Sequence, residues 1–212
     1  IKIPVIYTEH NLQERYHFIT KYINKWTFNY QTLAIGVSND VTQSIQKNIH
    51  PKIGCKTVLN GVNTKSFARL NGEERMTIRK QFGIPENAIV VGTTAVFRFQ
   101  KRLDKWMEIM HAAIDKYPNV YGIVIGAGVL EDEIKAKHKE LNLESKVFFA
   151  GLQSNVKPYY ETMDIFMMCS SFEGLPIALL EAMSMNCAMV STNAGGIKEV
   201  LRHEIDGLRV DV

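Results

Sequence analysis

Two glutamates flank the start of a predicted helix in the stretch SSFEGLPIALLEA, residues 170–182. Glu173 lies just before the helix and Glu181 lies inside it, and free backbone N–H groups are expected around Gly174 and Leu175. A helix N-terminus suits phosphate, and carboxylates accept hydrogen bonds from hydroxyls. The order predicts a ligand with a polyol on each side of a phosphate, which is the layout of a nucleotide sugar. The alternative is structural, with Glu173 complementing the helix dipole and Glu181 exposed on the helix.

A group of cations follows another predicted strand, in VFRFQKR at residues 96–102. Arg98, Lys101 and Arg102 lie within five positions of one another. Arginine suits bidentate contact with phosphate oxygens, and lysine adds a point charge. We therefore expect this segment to meet a diphosphate, and a solvated basic loop is the alternative.

Two further segments place polar residues at strand ends. His10 closes the predicted strand VIYTEH, although a lone histidine is usually not catalytic. Gly195 and Gly196 precede Glu199 in NAGGIKEV, between a predicted strand and a predicted helix. Reciprocal capping with a close backbone approach explains this second segment without a ligand. His10 is therefore the stronger functional candidate of the two.

No cofactor motif is complete in the sequence. The GAG at residues 126–128 is not a dinucleotide fingerprint, because Glu131 stands where the third glycine would be and would face a pyrophosphate. The sequence has no D-x-D, HExxH or His/Cys cluster, and no GxSxG nucleophile elbow. Neither a bound metal nor a cofactor is expected.

The composition is that of an ordinary globular protein of 212 residues, 46% hydrophobic and 22% charged. A net charge of +3, with both signs interspersed, argues against a nucleic-acid partner. Cys55, Cys169 and Cys187 are far apart, which is typical of buried thiols in a reducing cytosol. No apolar run approaches the roughly 20 residues that a membrane span needs. A cytoplasmic location is expected, and any peripheral membrane contact is expected through segments outside this chain.

The elements that must position these residues alternate from residue 88 onward. Strand-like apolar runs occur in AIVVGTTAVF, VYGIVIG, KVFFAG, DIFMMCS and AMVST. Helical periodicity occurs between them, in LDKWMEIMHAAIDKY, LEDEIKAKHKELN, VKPYYETM and PIALLEAMSM. This alternation predicts βαβ crossovers and an α/β fold with a doubly wound parallel sheet.

The first 60 residues have a similar but incomplete pattern. Strands are predicted in VIYTE and TLAIGVS, with a long amphipathic helix over residues 12–30 between them. Ser38 is predicted to cap a helix that runs to about Asn48. A turn is expected at Asn60-Gly61, before the polar residues 71–75. The domain boundary is therefore placed near Gly61–Phe67, giving domains over residues 1–62 and 63–212. Because the chain opens inside a strand and stops as if entering another, it resembles a piece of a longer protein.

Several motifs in the same order resemble one family. SSFEGLPIALLEAM is similar to the E-x7-E signature of retaining family 4 glycosyltransferases, also called glycosyl transferases group 1. KTVLNGVNTKSF resembles the interdomain NGV segment of that family, and FRFQK resembles its phosphate segment. VIGAGVLEDEI, VFFAGLQSNVKPYYETMDIFMMCS and AMVSTNAGGIKEV follow in the family's order. The resemblance covers essentially the whole chain.

This resemblance implies the GT-B fold, in which two Rossmann-like domains face each other across an active-site cleft. Residues 63–212 would be the C-terminal, donor-binding domain without its last helices. Residues 1–62 would be the tail of a partial N-terminal, acceptor-side domain. The implied activity is metal-independent transfer of a sugar, with retained anomeric configuration, from a nucleotide-sugar donor to a glycan or lipid-linked acceptor.

The resemblance also implies a role for each candidate residue. Arg98 and Lys101 would hold the diphosphate, Glu173 would bond the donor sugar, and the Gly174 and Leu175 N–H groups would lie near sugar and phosphate. Glu181 would bond the ribose diol, and the backbone of Gly151–Gln153 would line the edge of the base. His10 would lie beside the donor sugar.

The sequence departs from the family at three places. NCA at residues 186–188 replaces the usual Gly-x-Pro, and a short spacing leaves open whether Lys101 or Arg102 touches phosphate. The start of the N-terminal domain is expected to be missing, so the chain alone is expected to be poorly active or inactive. Two rivals remain open: a non-catalytic module that binds sugar nucleotides, and another GT-B enzyme such as a UDP-sugar epimerase.

Overall fold

The computed structural model describes residues 3–69 and 72–212, which form two compact units. The first unit consists of the described part of Ile1–Gly61 together with Phe172–Ile177 and Asn193–Arg202. The second unit consists of the rest of the described chain. The first unit thus takes in two segments from far along the chain, whereas the domains predicted from the sequence are continuous.

A parallel three-stranded sheet forms the centre of the first unit. Its strands lie in the order β1 (Ile6–Glu9), β2 (Leu33–Gly36) and β3 (Gly54–Thr57). Helix α2 (Asn39–Ile49) begins where the sequence predicts, because the Ser38 hydroxyl accepts a hydrogen bond from the Val41 N–H at 3.1 Å. The two strands and the capped helix are confirmed, whereas β3 was not predicted.

The long helix predicted over residues 12–30 is wrong in extent. Helix α1 covers only Phe18–Thr27, and a 3-10 turn lies on each side of it. Tyr16 and His17 are extended, each with ψ of 148°, and separate α1 from the first turn. The side chains of Gln13 and Tyr16 both donate to the carboxylate of Glu9, which holds this segment out of the helix.

Helix α1 turns its aromatic face to solvent. None of its residues is buried, and Trp26 is 70% exposed. Tyr22 and Phe18, about one and two turns before Trp26, are exposed as well. The amphipathic pattern that predicts a core-facing helix therefore produces an uncovered apolar face in the first unit.

The second unit is built on a six-stranded parallel sheet. In chain order its strands are β4 (Ile89–Thr94), β5 (Val120–Ile125), β6 (Val147–Gly151), β7 (Ile165–Met168), β8 (Ala188–Thr192) and β9 (Gly207–Val210). In space they lie in the order β6-β5-β4-β7-β8-β9, which is the doubly wound Rossmann order. The predicted fold class is confirmed. The order reverses between β4 and β7, and ligands of such sheets bind outside the carboxyl ends of the strands at this point.

Five α-helices lie in the described part of the second unit. They are α3 (Glu73–Phe82), α4 (Leu103–Lys116), α5 (Glu131–Glu140), α6 (Lys157–Thr162) and α7 (Ile177–Ser184), whose first residue is assigned to the first unit. The core centres on Trp106, Met107 and Met110 of α4, all at most 1% exposed. A Cβ at Gly122 of β5 would lie 3.0 Å from the Trp106 ring, so this glycine makes room for the indole. Helices α4 to α7 are confirmed as predicted.

One local prediction near the expected domain boundary is wrong. The polar residues 71–75 include the start of α3 at Glu73, and Asn71 lies outside the described residues. The turn expected at Asn60-Gly61 forms instead at Asn63, whose carbonyl accepts from the N–H groups of Ser66 and Phe67. The Asn63 side chain also accepts from the Ser66 N–H at 3.2 Å, and this local bonding explains where the chain turns.

Candidate functional site

The loops after β4 and β7 are tied together at the switch point of the second unit. The Ser171 N–H donates to the Gln100 carbonyl at 2.8 Å, and the Ser171 hydroxyl donates to the same oxygen at 3.3 Å. Gln100 lies in the 3-10 turn Phe99–Lys101 that separates Arg98 from Arg102. The cationic segment predicted from the sequence is therefore positioned where a Rossmann-like sheet binds its ligands.

The cationic segment has a constrained backbone. Arg98 is exposed, and the Lys101 N–H donates to its carbonyl at 2.9 Å. Arg102 adopts the left-handed conformation, with φ of 48° and ψ of 47°, directly before α4. Residues other than glycine are uncommon there, and such strain clusters at functional sites. Both Lys101 and Arg102 thus remain candidates for contact with phosphate.

Glu181 is held by a buried phenol. The Tyr160 hydroxyl donates to Glu181 Oε2 at 2.8 Å, and Tyr160 is completely buried. Burial, followed by the nearby Glu181 charge, raises the pKa of this phenol well above its usual range. Glu181 is half-buried, so it is not the exposed helix residue of the structural alternative.

Gly151 and Gln153 lie at the carboxyl end of β6. Gly151 has a positive φ of 69°, and its carbonyl accepts from the Gly126 N–H at 2.8 Å. The Gln153 side chain donates to the Ala150 carbonyl at 2.5 Å. A Cβ at Gly151 would meet nothing within 4 Å, so its surroundings are open. The Gly151 and Ala150 carbonyls are thus both engaged within the protein, at the strand that ends the sheet.

A buried carboxylate lies next to His10 in the first unit. Glu9 is 1% exposed and accepts from the hydroxyls of Tyr7 and Tyr16, at 2.9 and 2.8 Å. It also accepts from the Gln13 amide and from the backbone N–H groups of His10 and Asn11. Burial and the Glu9 carboxylate raise the pKa of both phenols, so they remain donors. This network fixes the backbone at His10, whose side chain is exposed.

Glu173, Gly174 and Leu175 belong to the same unit as His10. Glu173 is 8% exposed and Leu175 is 3% exposed. A Cβ at Gly174 would lie 2.2 Å from the His10 carbonyl oxygen, so glycine is required there by the protein's own packing. Helix α7 also begins at Ile177, one residue later than the expected start at Pro176.

The glycine pair of NAGGIKEV packs on this turn. The Gly196 N–H donates to the Gly174 carbonyl at 2.7 Å, and a Cβ at Gly195 would lie 1.9 Å from the Glu173 carbonyl oxygen. The structural interpretation of these glycines is therefore confirmed. The predicted reciprocal cap is wrong, because Glu199 accepts from the Asn39 N–H at 2.8 Å and caps α2 instead of its own turn.

Two residues of the site were missed in the sequence. The only sequence signal for Glu9 is that it is an acid at the end of a predicted strand, beside the candidate His10. The only signal for Tyr160 is its place in a predicted helix. Within residues 3–69 and 72–212, no group of three potential ligands is placed to hold a metal ion. The described helices also include none with the length and apolar character of a membrane span.

The comparison with known proteins decides the family. The family model described as glycosyl transferases group 1 matches residues 74–212, which is more than half of the chain. The chain belongs to the glycosyl transferases group 1 family. An uncharacterised glycosyltransferase of Methanocaldococcus jannaschii is 25% identical over 163 residues, covering 76% of this chain and 42% of the relative.

Two other proteins are similar to all or part of this chain. An N-acetylgalactosamine-N,N'-diacetylbacillosaminyl-diphospho-undecaprenol 4-alpha-N-acetylgalactosaminyltransferase of Campylobacter jejuni is 38% identical over 91 residues, covering 42% of this chain and 25% of the relative. The crystal structure of Anabaena HepE with UDP and glucose superposes with a TM-score of 0.86 at 21% identity, covering 98% of this chain and 58% of that one. This similarity shows a shared fold. The chain spans about half the length of the proteins that it matches.

Proposed function

We propose that the protein to which this chain belongs is a retaining, metal-independent glycosyltransferase that moves a sugar from a nucleotide-sugar donor to a glycan or lipid-linked acceptor. The family match is the observation that carries the proposal. The matched residues form a Rossmann sheet, and the cationic loop lies at its switch point. HepE binds UDP and glucose on the same fold, which supports a nucleotide-sugar donor. The name of the Campylobacter relative supports a lipid-linked acceptor.

We assign binding of the donor's leaving group, the nucleoside diphosphate, to residues of the second unit. Arg98 and Lys101 bind the diphosphate and stabilise the charge that develops as the bond between the sugar and phosphate breaks. Glu181 accepts from the ribose hydroxyls, and the backbone of Gly151 and Gln153 contacts the base. These contacts bind the donor and make its diphosphate a better leaving group.

We assign binding of the donor sugar to residues of the first unit. Glu173 accepts hydrogen bonds from its hydroxyls, the Gly174 and Leu175 N–H groups bind near sugar and phosphate, and His10 lies beside the sugar. The acceptor oxygen attacks the anomeric carbon on the same face from which the leaving group departs. The new glycosidic bond forms as the bond between sugar and phosphate breaks. The acceptor proton passes to the leaving phosphate oxygen, so no protein base is needed.

Calorimetric titration with UDP, GDP and ADP, alone and as sugar conjugates, tests the donor site. We expect one nucleotide to bind, and Glu181→Ala to weaken its binding about tenfold to a hundredfold, because hydrogen bonds to a charged group are lost. Glu144→Ala removes an exposed carboxylate from the same unit and should leave binding unchanged. Failure of the full-length parent to bind any of the three nucleotides would contradict the proposal.

Product analysis on the full-length parent tests the transfer itself. We expect a glycoside with the anomeric configuration of the donor, formed equally well with and without EDTA. Binding without turnover would identify a sugar-nucleotide-binding module, and conversion of the donor sugar without an acceptor would identify an epimerase.

A further inference from the structure

A buried tyrosine lies behind the carboxylate to which we assign the ribose. Tyr160 is 0% exposed, and its ring packs against Phe67 and Phe166 with centroids 6.2 and 5.9 Å away. The ring is therefore fixed by packing. Its hydroxyl donates to Glu181 Oε2 at 2.8 Å, and the Thr94 hydroxyl also lies close to it.

The backbone around Tyr160 is fixed as well. Its carbonyl accepts from the Cys187 thiol at 3.5 Å, and the Arg69 guanidinium is also within 3.5 Å of it. Tyr160 lies in α6 and Glu181 lies in α7, and both belong to the second unit. The hydrogen bond thus connects a rigid residue of one helix to a carboxylate of another.

A carboxylate on a helix surface has several rotamers, and losing this freedom on binding reduces affinity. A hydroxyl that occupies one oxygen selects a single rotamer before the ligand arrives. It leaves Oε1 and the second lone pair of Oε2 as acceptors for the two hydroxyls of a ribose. A deoxyribose supplies only one of those hydroxyls.

We propose that Tyr160 is a positioning residue that pre-orients Glu181 and thereby sets selectivity for ribonucleotides over 2′-deoxyribonucleotides. The proposal rests on the assignment of Glu181 to the ribose. Tyr160 acts through Glu181 and does not contact the ligand. It follows that removal of its hydroxyl matters only while the Glu181 carboxylate is present.

The test compares binding of each nucleoside diphosphate (UDP, GDP or ADP) with that of its 2′-deoxy analogue, in the chain and in the full-length parent. Without substitutions, we expect the ribonucleotide that binds to do so about tenfold more tightly than its 2′-deoxy analogue. This is the effect of one hydrogen bond to a carboxylate. Tyr160→Phe should reduce this preference to about threefold or less, because Glu181 is no longer held in place. Tyr159→Phe is the matched control, since this neighbouring buried tyrosine makes no described hydrogen bond to Glu181.

A double-mutant cycle separates positioning from a general structural role. In the Glu181→Ala background the preference should be lost, and adding Tyr160→Phe should change neither affinity. Equal weakening of both nucleotides by Tyr160→Phe, with or without Glu181, would overturn the inference and leave the proposed function intact. Absence of nucleotide binding by the unmodified parent would instead overturn the proposed function itself.

Thermal unfolding establishes whether Tyr160→Phe is folded. If it is not, 3-fluorotyrosine at position 160 retains the ring and provides a more acidic, stronger donor. We then expect the preference for the ribonucleotide to rise about twofold. An unchanged preference would overturn the inference.

Discussion

At the residue scale, Glu9 is a carboxylate that the fold buries and then fully satisfies. Five donors reach it, from two phenols, one amide and two backbone N–H groups. Removing the charge leaves several of these donors without an acceptor, and each buried unsatisfied donor costs free energy. The network therefore holds the backbone at His10 at the end of β1.

Glu9→Gln is expected to lower the free energy of unfolding by about 2–4 kcal/mol, because a neutral amide accepts fewer and weaker bonds. Urea denaturation gives the value, and Glu144→Gln, an exposed substitution, should change it by less than about 0.5 kcal/mol. Equal stabilities of the two variants would mean that the Glu9 network does not hold the loop.

At the element scale, most of the Rossmann pattern could be read from the sequence. Strands β4 to β8 and helices α4 to α7 were predictable, because buried parallel strands are short, continuous apolar runs between amphipathic segments. The break in residues 12–30 was not predictable, because it depends on Gln13 and Tyr16 reaching Glu9. Local periodicity contains no information about such a contact.

The candidate site shows the same division. The E-x7-E stretch and the cationic loop were recognisable because their residue types and spacing lie close together in the chain. The partner of Glu181 is 21 residues away, and the helix that Glu199 caps begins 160 residues away. Such pairings arise from the tertiary fold and leave no local pattern.

The cap that Glu199 supplies to α2 gives a prediction for this element. The Glu199 carboxylate accepts hydrogen bonds from the backbone N–H and from the side-chain amide of Asn39, at 2.8 and 2.7 Å. Glu199→Ala should lower the free energy of unfolding by about 1–2 kcal/mol, the value of a lost charged cap. Glu133→Ala, an acid in the first turn of α5, should cost only a few tenths of a kcal/mol. Chemical denaturation compares them, and equal losses would show that Glu199 acts only as a dipole-complementing charge.

At the scale of the whole molecule, two buried thiols make stability depend on alkaline pH. Burial raises the pKa of both Cys169 and Cys187 to about 11, from 9.0. Their stabilising contribution is complete below pH 9 and is lost as the pH rises toward 11, because the unfolded chain ionises first. The loss is at most about 3 kcal/mol for each thiol.

Denaturation between pH 8 and pH 10.5 measures this effect. The Cys169→Ala, Cys187→Ala double variant is expected to be less stable at pH 8, because it leaves cavities, but to lose less stability as the pH rises. Cys55→Ala is the comparison: burial raises the pKa of this partly buried thiol as well, but by less, so its effect on the pH profile should be smaller. Parallel pH profiles for all three proteins would show that the buried thiols do not contribute.

The exposed aromatic face of α1 has a spectroscopic consequence. The chain has two tryptophans, and each compact unit contains one of them, Trp26 on α1 and Trp106 in the core of the second unit. An indole 70% exposed to water emits at long wavelength and is accessible to acrylamide, whereas one at 0% emits at shorter wavelength and is shielded. Quenching the first leaves a signal from the second unit alone, so intrinsic fluorescence distinguishes melting of the six-stranded sheet from changes at α1 without any added label.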